Sequence, residues 1–124
     1  MRARDELSVT RSVLIVDDDR NLTKLISTVL ALAGLNVLTA TDGFAALELL
    51  EGQEVDVIIL DLRMPRMDGR SFLKELRVKG MDIPVLIASA YGARAAQKEL
   101  GAQAAIEKPF DPERLLDLVT ELLA

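Results

Sequence analysis

Four apolar runs in this chain stop on a side chain able to do chemistry. "VLIV" (Val13–Val16) is followed by Asp17, Asp18 and Asp19, and "VIIL" (Val57–Leu60) by Asp61. "PVLIA" leads into Ser89, and "AAIE" into Lys108. Carboxylates, a hydroxyl and an ammonium from separate parts of one chain can form a cation and oxyanion site if the fold brings them together. Converging carboxylates repel: two unit charges roughly 5 Å apart at an effective dielectric of about 20 cost on the order of 3 kcal/mol. Without a counter-charge one of them would protonate. A divalent cation plus Lys108 would supply it. All-oxygen ligands suit Mg2+, which keeps several waters and favours phosphate as a partner. Such a site suits phosphoryl transfer to Asp61. The metal and Lys108 would hold the phosphoryl oxygens, and Ser89 would donate a hydrogen bond to one of them.

Taken singly, each group has an ordinary structural explanation. Asp17 to Asp19 read as a solvated acidic turn capping a helix that begins near Asn21, and Asp19 is assigned to that capping rather than to metal. Asp61 alone is a strand-ending aspartate, Ser89 alone a loop hydroxyl and Lys108 alone a solvated lysine. In "LDLRMPRMDG" (Leu60–Gly69), Met64 and Met67 are expected to pack the loop while Pro65 and Gly69 fix its turn. The functional reading rests on the joint pattern.

Composition removes several alternatives. A chain of 124 residues suggests one domain with one core. Its apolar runs are only four or five residues long, against the roughly 20 needed to span a bilayer. "MRARDELSVTRS" has no apolar segment and does not read as a secretory signal. Cysteine is absent, which fits a reducing compartment and a cytoplasmic location. The net charge of −5 makes a poor nucleic-acid surface. No histidine is present, so the commonest general base is missing and the chain cannot carry a phosphohistidine. Neither glycine-rich nucleotide cradle, G-x-x-x-x-G-K-[ST] or G-x-G-x-x-G, occurs.

The elements that must position these groups alternate. Residues 1–11 read as a frayed polar tail, followed by a domain over 12–124. Strands are expected at Ser12–Val16, Asn36–Ala40, Val55–Leu60, Ile83–Ala88 and, with poor propensity, Ala102–Glu107. Leu22, Leu25, Ile26, Val29 and Leu30 mark one helical face ending at Gly34. Phe44, Leu47 and Leu50 mark a second helix that starts at Asp42 and Gly43. Phe72, Leu73 and Leu76 mark a third, closed near Gly80. Gly92–Leu100 predicts a short, alanine-rich fourth. Asp111 caps a last helix with Pro112 at its first position. Leu115, Leu118, Val119 and Leu122 are its inner face, and Leu116 and Leu123 are overflow. That helix is expected to run to Ala124 with no output domain after it. Strand–helix alternation predicts a doubly wound parallel α/β sheet. Ligands then bind beyond the carboxyl ends of the strands, where all four runs deliver their polar groups.

"VLIVDDDR", "VIILDLRMPRMDG", "PVLIASA" and "EKPF" together, in this order, resemble the signatures of the receiver domain of two-component response regulators, over about residues 12–124. The resemblance implies a flavodoxin-like (βα)5 fold of strand order 2-1-3-4-5. It implies Asp61 as phosphoacceptor, and Asp17 and Asp18 as the acidic pair holding Mg2+. Arg63 would give its backbone carbonyl to the metal. Ser89 would be the switch hydroxyl, Lys108 the phosphate-binding lysine, and the Lys108–Pro109 bond would be cis. The implied partners are a sensor histidine kinase or a histidine phosphotransfer protein and a downstream protein target. Neither nucleic acid nor membrane is implied for this domain, which would be a monomer or a weak phosphorylation-dependent dimer. It would not be an enzyme beyond its own phosphorylation and dephosphorylation.

Two departures stand out. The family usually has an aromatic residue three positions before the lysine; here it is Ala105. The stretch from Ser89 to Gly101 is also about three residues short, nearly one turn, so the fourth helix is expected to be stunted or irregular. Signalling is therefore expected through another face, such as the first helix, or through Tyr91 as a substitute ring. Arg63 and Tyr91 are expected to shield the aspartyl phosphate from water. Two rivals remain. An aspartate-nucleophile phosphatase of the haloacid dehalogenase type wants an acid where Arg63 stands. A pseudo-receiver is opposed by the intact set of Asp17, Asp18, Asp61, Ser89 and Lys108.

Overall fold

Val13, Leu14, Ile15 and Val16 are all buried, yet they serve two different cores. Val13 and Ile15 point to one face, Leu14 and Val16 to the other, as the two-residue period of a strand dictates. A run apolar at every position is the mark of a strand covered on both sides. The computed structural model describes residues 10–124. Its strands are β1 (Ser12–Val16), β2 (Asn36–Ala40), β3 (Val57–Leu60), β4 (Val85–Ser89) and β5 (Ala104–Glu107). Its helices are α1 (Arg20–Leu32), α2 (Gly43–Gly52), α3 (Gly69–Val78), α4 (Ala93–Leu100) and α5 (Pro112–Leu123). All strand pairs are parallel, in the order β2-β1-β3-β4-β5. This is the doubly wound sheet that the strand–helix alternation predicts, in the flavodoxin-like strand order that the family resemblance implies. Of the tail expected over 1–11, only Thr10 and Arg11 fall among the described residues.

Ile26 and Leu30 of α1 and Leu115, Leu118 and Val119 of α5 cover one face with Val13, Ile15, Ile59 and Leu86. Phe72, Leu73 and Leu76 of α3, with Ala46, Leu50, Ala93 and Ala96, cover the other face against Leu14, Leu60 and Ile87. Among the described residues, four of the five helices start on an aspartate whose side chain accepts a backbone N–H: Asp19, Asp42, Asp68 and Asp111. Such caps satisfy donors that the first helical turn leaves unpaired. Asp19 is thus a cap, as expected.

Several boundaries and faces differ from expectation. β3 begins at Val57, because Asp56 turns its side chain back to the Ser12 N–H (2.7 Å) before the ladder starts. β4 begins at Val85, after Pro84, which has no N–H to give. β5 begins at Ala104, because Gln103 spends its side-chain oxygen on the Val85 N–H (2.8 Å). Leu25, part of the apolar face expected of the first helix, and Phe44, one of the apolar marks of the second, are 49% and 52% exposed. Phe44 is six residues from Leu50, which at about 100° per residue puts it about 120° around the helix. Leu25 is likewise one full residue step from Ile26. Leu116 and Leu123 are half-buried against the α1–α5 core, the overflow expected of them. The short α4 is eight residues and regular rather than irregular. Gly92 starts it in the left-handed region (φ 66°) with no side-chain cap, a conformation glycine adopts without strain.

Candidate functional site

The ladder sets the height of each polar group. The Asp17 N–H donates to the Ala40 carbonyl (3.1 Å), the Asp61 N–H to Val16 (2.9 Å) and the Lys108 N–H to Ser89 (2.9 Å). Each group therefore leaves the sheet one step beyond the last strand residue, at the carboxyl edge. Asp17, Asp61 and Ser89 are buried there, and Asp18 is exposed. One carboxylate oxygen from each of Asp17, Asp18 and Asp61 lies within 4.8 Å of the other two. Lys108 Nζ reaches across, 2.8 Å from Asp17 Oδ2 and 3.6 Å from Asp61 Oδ1. The other oxygen of Asp17 accepts the Asp19 N–H (2.9 Å). The Lys108–Pro109 peptide is cis.

The electrostatics follow from this crowding. Burial, and then the charge of Asp17, push the Asp61 carboxyl above its ordinary value. Lys108 and a hydrogen bond with the Arg63 backbone offset part of that, and Asp18 adds to the rise. Burial alone would lower the Lys108 ammonium, but its hydrogen bond to Asp17 and the charges of Asp17 and Asp61 outweigh burial and raise it. Three carboxylates against one ammonium leave the cluster short of positive charge. Its donors are all oxygen, two of them fixed by burial, and this set fits a hard divalent cation such as Mg2+.

The loop after Asp61 explains the "MPRMDG" turn. Gly69 sits against the Asp61 carbonyl, and a Cβ there would meet Leu62 Cα at 2.8 Å. The Gly69 N–H closes the turn on the Leu62 carbonyl (3.0 Å). Met64 and Met67, expected to pack the loop, are partly buried against the core cluster beneath it. Two arginines of this loop each lie over an aromatic ring. Arg63 covers Tyr91 at 5.6 Å, and Arg66 covers Phe44 at 5.5 Å. Tyr91, 74% exposed, thus faces Arg63 at the mouth of the site.

The Arg66 contact went unread in the sequence. Arg66 also pairs with buried Asp42 (3.0 Å), and the Gly43 N–H donates to the Met67 carbonyl (3.3 Å). A Cβ on Gly43 would strike Met67 Cγ at 2.7 Å. These contacts latch the loop to the start of α2. The available signal was the Asp42-Gly43-Phe44 triplet, with Phe44 off the helix's apolar stripe. A second feature is an apolar groove of about 520 Å3 beside Lys108, lined by Leu22, Leu25, Ala90, Pro109 and Phe110. It gives exposed Leu25 a context.

Residues 13–120 match the family described as the response regulator receiver domain. The chain belongs to that family, which fits two-component signalling. Among curated relatives, it is 41% identical over 114 residues to the transcriptional regulatory protein CpxR of Klebsiella pneumoniae. It is 40% identical over 113 residues to the probable transcriptional regulator ycf27 of Guillardia theta. These matches take in 90% and 89% of this chain but 48% and 44% of those proteins, so the chain spans about half the length of the curated relatives it matches. Among solved structures, the receiver domain of Francisella response regulator 1452 superposes with a TM-score of 0.86 at 34% identity, over 92% of this chain and 97% of that one. The response regulator TrrA of Thermotoga maritima, solved in complex with Mg(2+)-BeF, gives a TM-score of 0.83 at 30% identity, over 92% and 100%. No helix among the described residues is long and apolar enough to cross a membrane.

Proposed function

We propose that this domain accepts a phosphoryl group on Asp61 from a phosphohistidine of a sensor kinase or phosphotransfer protein, and that the acyl phosphate changes its binding to a downstream protein. The carrying observation is the acidic trio spanned by Lys108. In this reading an Asp61 carboxylate oxygen attacks phosphorus as the histidine N–P bond breaks, and the electron pair of that bond returns to the imidazole. Asp17, Asp18, Asp61 and the Arg63 backbone carbonyl are the groups that would hold Mg2+. When bound, the ion neutralises charge on the phosphoryl oxygens. Lys108 pairs with a phosphoryl oxygen, for which it must loosen its hold on Asp17. Ser89, buried at the end of β4, the strand next to the one that ends at Asp61, donates a hydrogen bond to another oxygen and carries the switch. Arg63 and Tyr91 cover the mouth and limit water. The groove of Leu22, Leu25 and Phe110 beside Lys108 suits an apolar helix of the phosphodonor.

The domain acts on itself alone, without turnover of an external substrate, and it works in the cytoplasm. The Mg(2+)-BeF complex of the related TrrA supports the metal. The test is acetyl phosphate with Mg2+ followed by mass spectrometry. One phosphoryl group on the Asp61 peptide is expected, together with negligible hydrolysis of p-nitrophenyl phosphate. An unlabelled protein would mark a pseudo-receiver and end the proposal.

A further inference from the structure

Among the described residues, Arg66 is the one non-glycine whose backbone lies in the left-handed region (φ 66°). That conformation is unfavourable for a residue with a Cβ, and glycine or asparagine takes it with less strain. The side chain that comes with it reaches across to the start of α2. Its guanidinium pairs with buried Asp42 (3.0 Å to Oδ2, 3.3 Å to Oδ1) and lies over the Phe44 ring at 5.5 Å. The Arg66 side chain is 63% exposed, and an ion pair so open to water adds little to stability. Strain kept for a contact of small energetic worth directs attention to what the contact positions.

It positions a loop with few ties of its own. Among the described residues, no backbone–backbone hydrogen bond involves Arg63, Met64, Pro65 or Arg66. The loop is closed at its base, where the Gly69 N–H donates to the Leu62 carbonyl (3.0 Å). Its far side meets α2, where Arg66 holds Asp42 and the Met67 carbonyl accepts the Gly43 N–H (3.3 Å). A Cβ on Gly43 would strike Met67 Cγ, so the two segments approach as closely as glycine allows. Arg63 lies between base and latch. Its N–H donates to the Asp61 carboxylate, and its carbonyl is one of the groups that would hold Mg2+. The Arg63 side chain rests on exposed Tyr91, whereas Arg66 is tied to a buried carboxylate. The latch is therefore the firmer hold on the Arg63 peptide.

We infer that Arg66 is a positioning residue for the Asp61 site: clamped between Asp42 and Phe44, it fixes the loop so that the Arg63 peptide faces Asp61 and a cation bound there. The inference rests on the reading of Asp61 given above. A group held in place before its ligand arrives binds without first having to be ordered. Loss of the latch leaves Asp17 and Asp61 where they are, because their N–H groups are tied to neighbouring strands. It frees the Arg63 peptide alone. Charge by itself predicts the opposite outcome, since taking a cation away from an acidic site should tighten a divalent ion. The sign of the effect therefore separates positioning from electrostatics.

The test is calorimetric titration of the metal-free protein with Mg2+, in the parent, Arg66→Asn, Asp42→Asn and the double variant. Asparagine takes the left-handed conformation at 66 without the added freedom of glycine. At 42 its side-chain oxygen can still cap α2. Arg66→Asn is expected to weaken Mg2+ about fivefold, short of the roughly tenfold or more typical of a group bonded directly to a metal ligand. The melting temperature of the metal-free protein should stay within about 3 °C of the parent. Asp42→Asn should weaken the ion as well. The double variant should bind no more than about twofold more weakly than the weaker single one, because both break the same pair. In metal-free Arg66→Asn, hydrogen exchange at the Arg63 amide should quicken about fivefold while the Gly69 and β3 amides keep parental rates. Parental or tighter Mg2+ binding in Arg66→Asn would overturn the inference, as would multiplied effects in the double variant or an unchanged Arg63 amide. Faster exchange at Gly69 and throughout β3 would make Arg66 a stabiliser of the fold and would overturn it too. All of these leave the Asp61 reading standing. A parent that neither binds Mg2+ nor takes phosphate from acetyl phosphate ends that reading, and this inference with it.

Discussion

The two edges of this sheet use polar groups in opposite ways. At the amino edge every group named finds a partner. The Ser12 N–H donates to Asp56 Oδ2 (2.7 Å), and Asn36 Nδ2 donates to Ser12 Oγ (3.0 Å). Gln103 exchanges two hydrogen bonds with Val85, and Arg77 Nη1 donates to the carbonyls of Met81 (2.8 Å) and Ile83 (3.0 Å). At the carboxyl edge, buried Asp17 and Asp61 share one ammonium, and the Asp61 carboxyl is pushed up by burial and by Asp17. One edge closes the fold. The other holds charge in reserve for a ligand, and stability is lower for it.

Removing the charge of Asp61 should have the largest effect and the clearest contrast. Asp61→Asn is expected to abolish acetyl phosphate labelling. It should also raise the melting temperature of the metal-free protein by about 3–6 °C at neutral pH. The sign follows from linkage. The folded Asp61 carboxyl lies above the unfolded value near 3.8. Its favourable contribution is therefore complete below that value and lost as pH rises through the folded one. The stability gap between variant and parent should open across that window, and a gap independent of pH would contradict the assignment. At the other edge the same kind of change should do the reverse. Asp56→Ala strips the Ser12 N–H and Arg11 of a largely buried partner. It should cost about 2 kcal/mol and lower the melting temperature by about 6–10 °C, with labelling at Asp61 intact. A loss of labelling in the folded variant would break the separation of the two edges.

The contrast also marks what could be read from sequence. Strand apolarity and helix spacing carry the fold because burial at each position is a local property with a fixed period. Asp17, Asp61, Ser89 and Lys108 were legible because each ends an apolar run, and a parallel sheet brings such ends to one edge. The Arg66–Asp42 latch was not legible, because it joins residues 24 apart whose pairing depends on a left-handed turn at Arg66 (φ 66°). The exposure of Leu25 was not legible either, because apolar character alone does not tell a core position from one a single step around the helix.

Divalent cation should narrow the difference between the edges. If Asp17, Asp18 and Asp61 hold Mg2+, ion at about ten times its dissociation constant adds about 1.4 kcal/mol of stability. A thermal scan should show a rise of about 4–6 °C in the parent. The rise should shrink in Asp61→Asn and persist in full in Gln103→Ala, at the far edge. An equal rise in all three would place the ion elsewhere.

The smallest effect expected is at the mouth of the site, where the carboxyl edge contains a contrast of its own. Arg66 is tied to its ring and to buried Asp42, so that side of the loop is anchored. Arg63 has its ring alone, and both partners are exposed. A cation over an exposed ring is worth only about 0.5–1 kcal/mol, so the Arg63–Tyr91 cover opens readily and slows water rather than excluding it. Arg63→Ala should therefore speed hydrolysis of the Asp61 acyl phosphate about two- to fivefold, the rate equivalent of that energy, with the melting temperature unchanged. Tyr91→Ala should match it, and the double variant should be no faster than either single one, because both remove the same contact. Additive acceleration would mean that the two side chains shield the phosphate independently, and unchanged decay in Arg63→Ala would remove Arg63 from the shield.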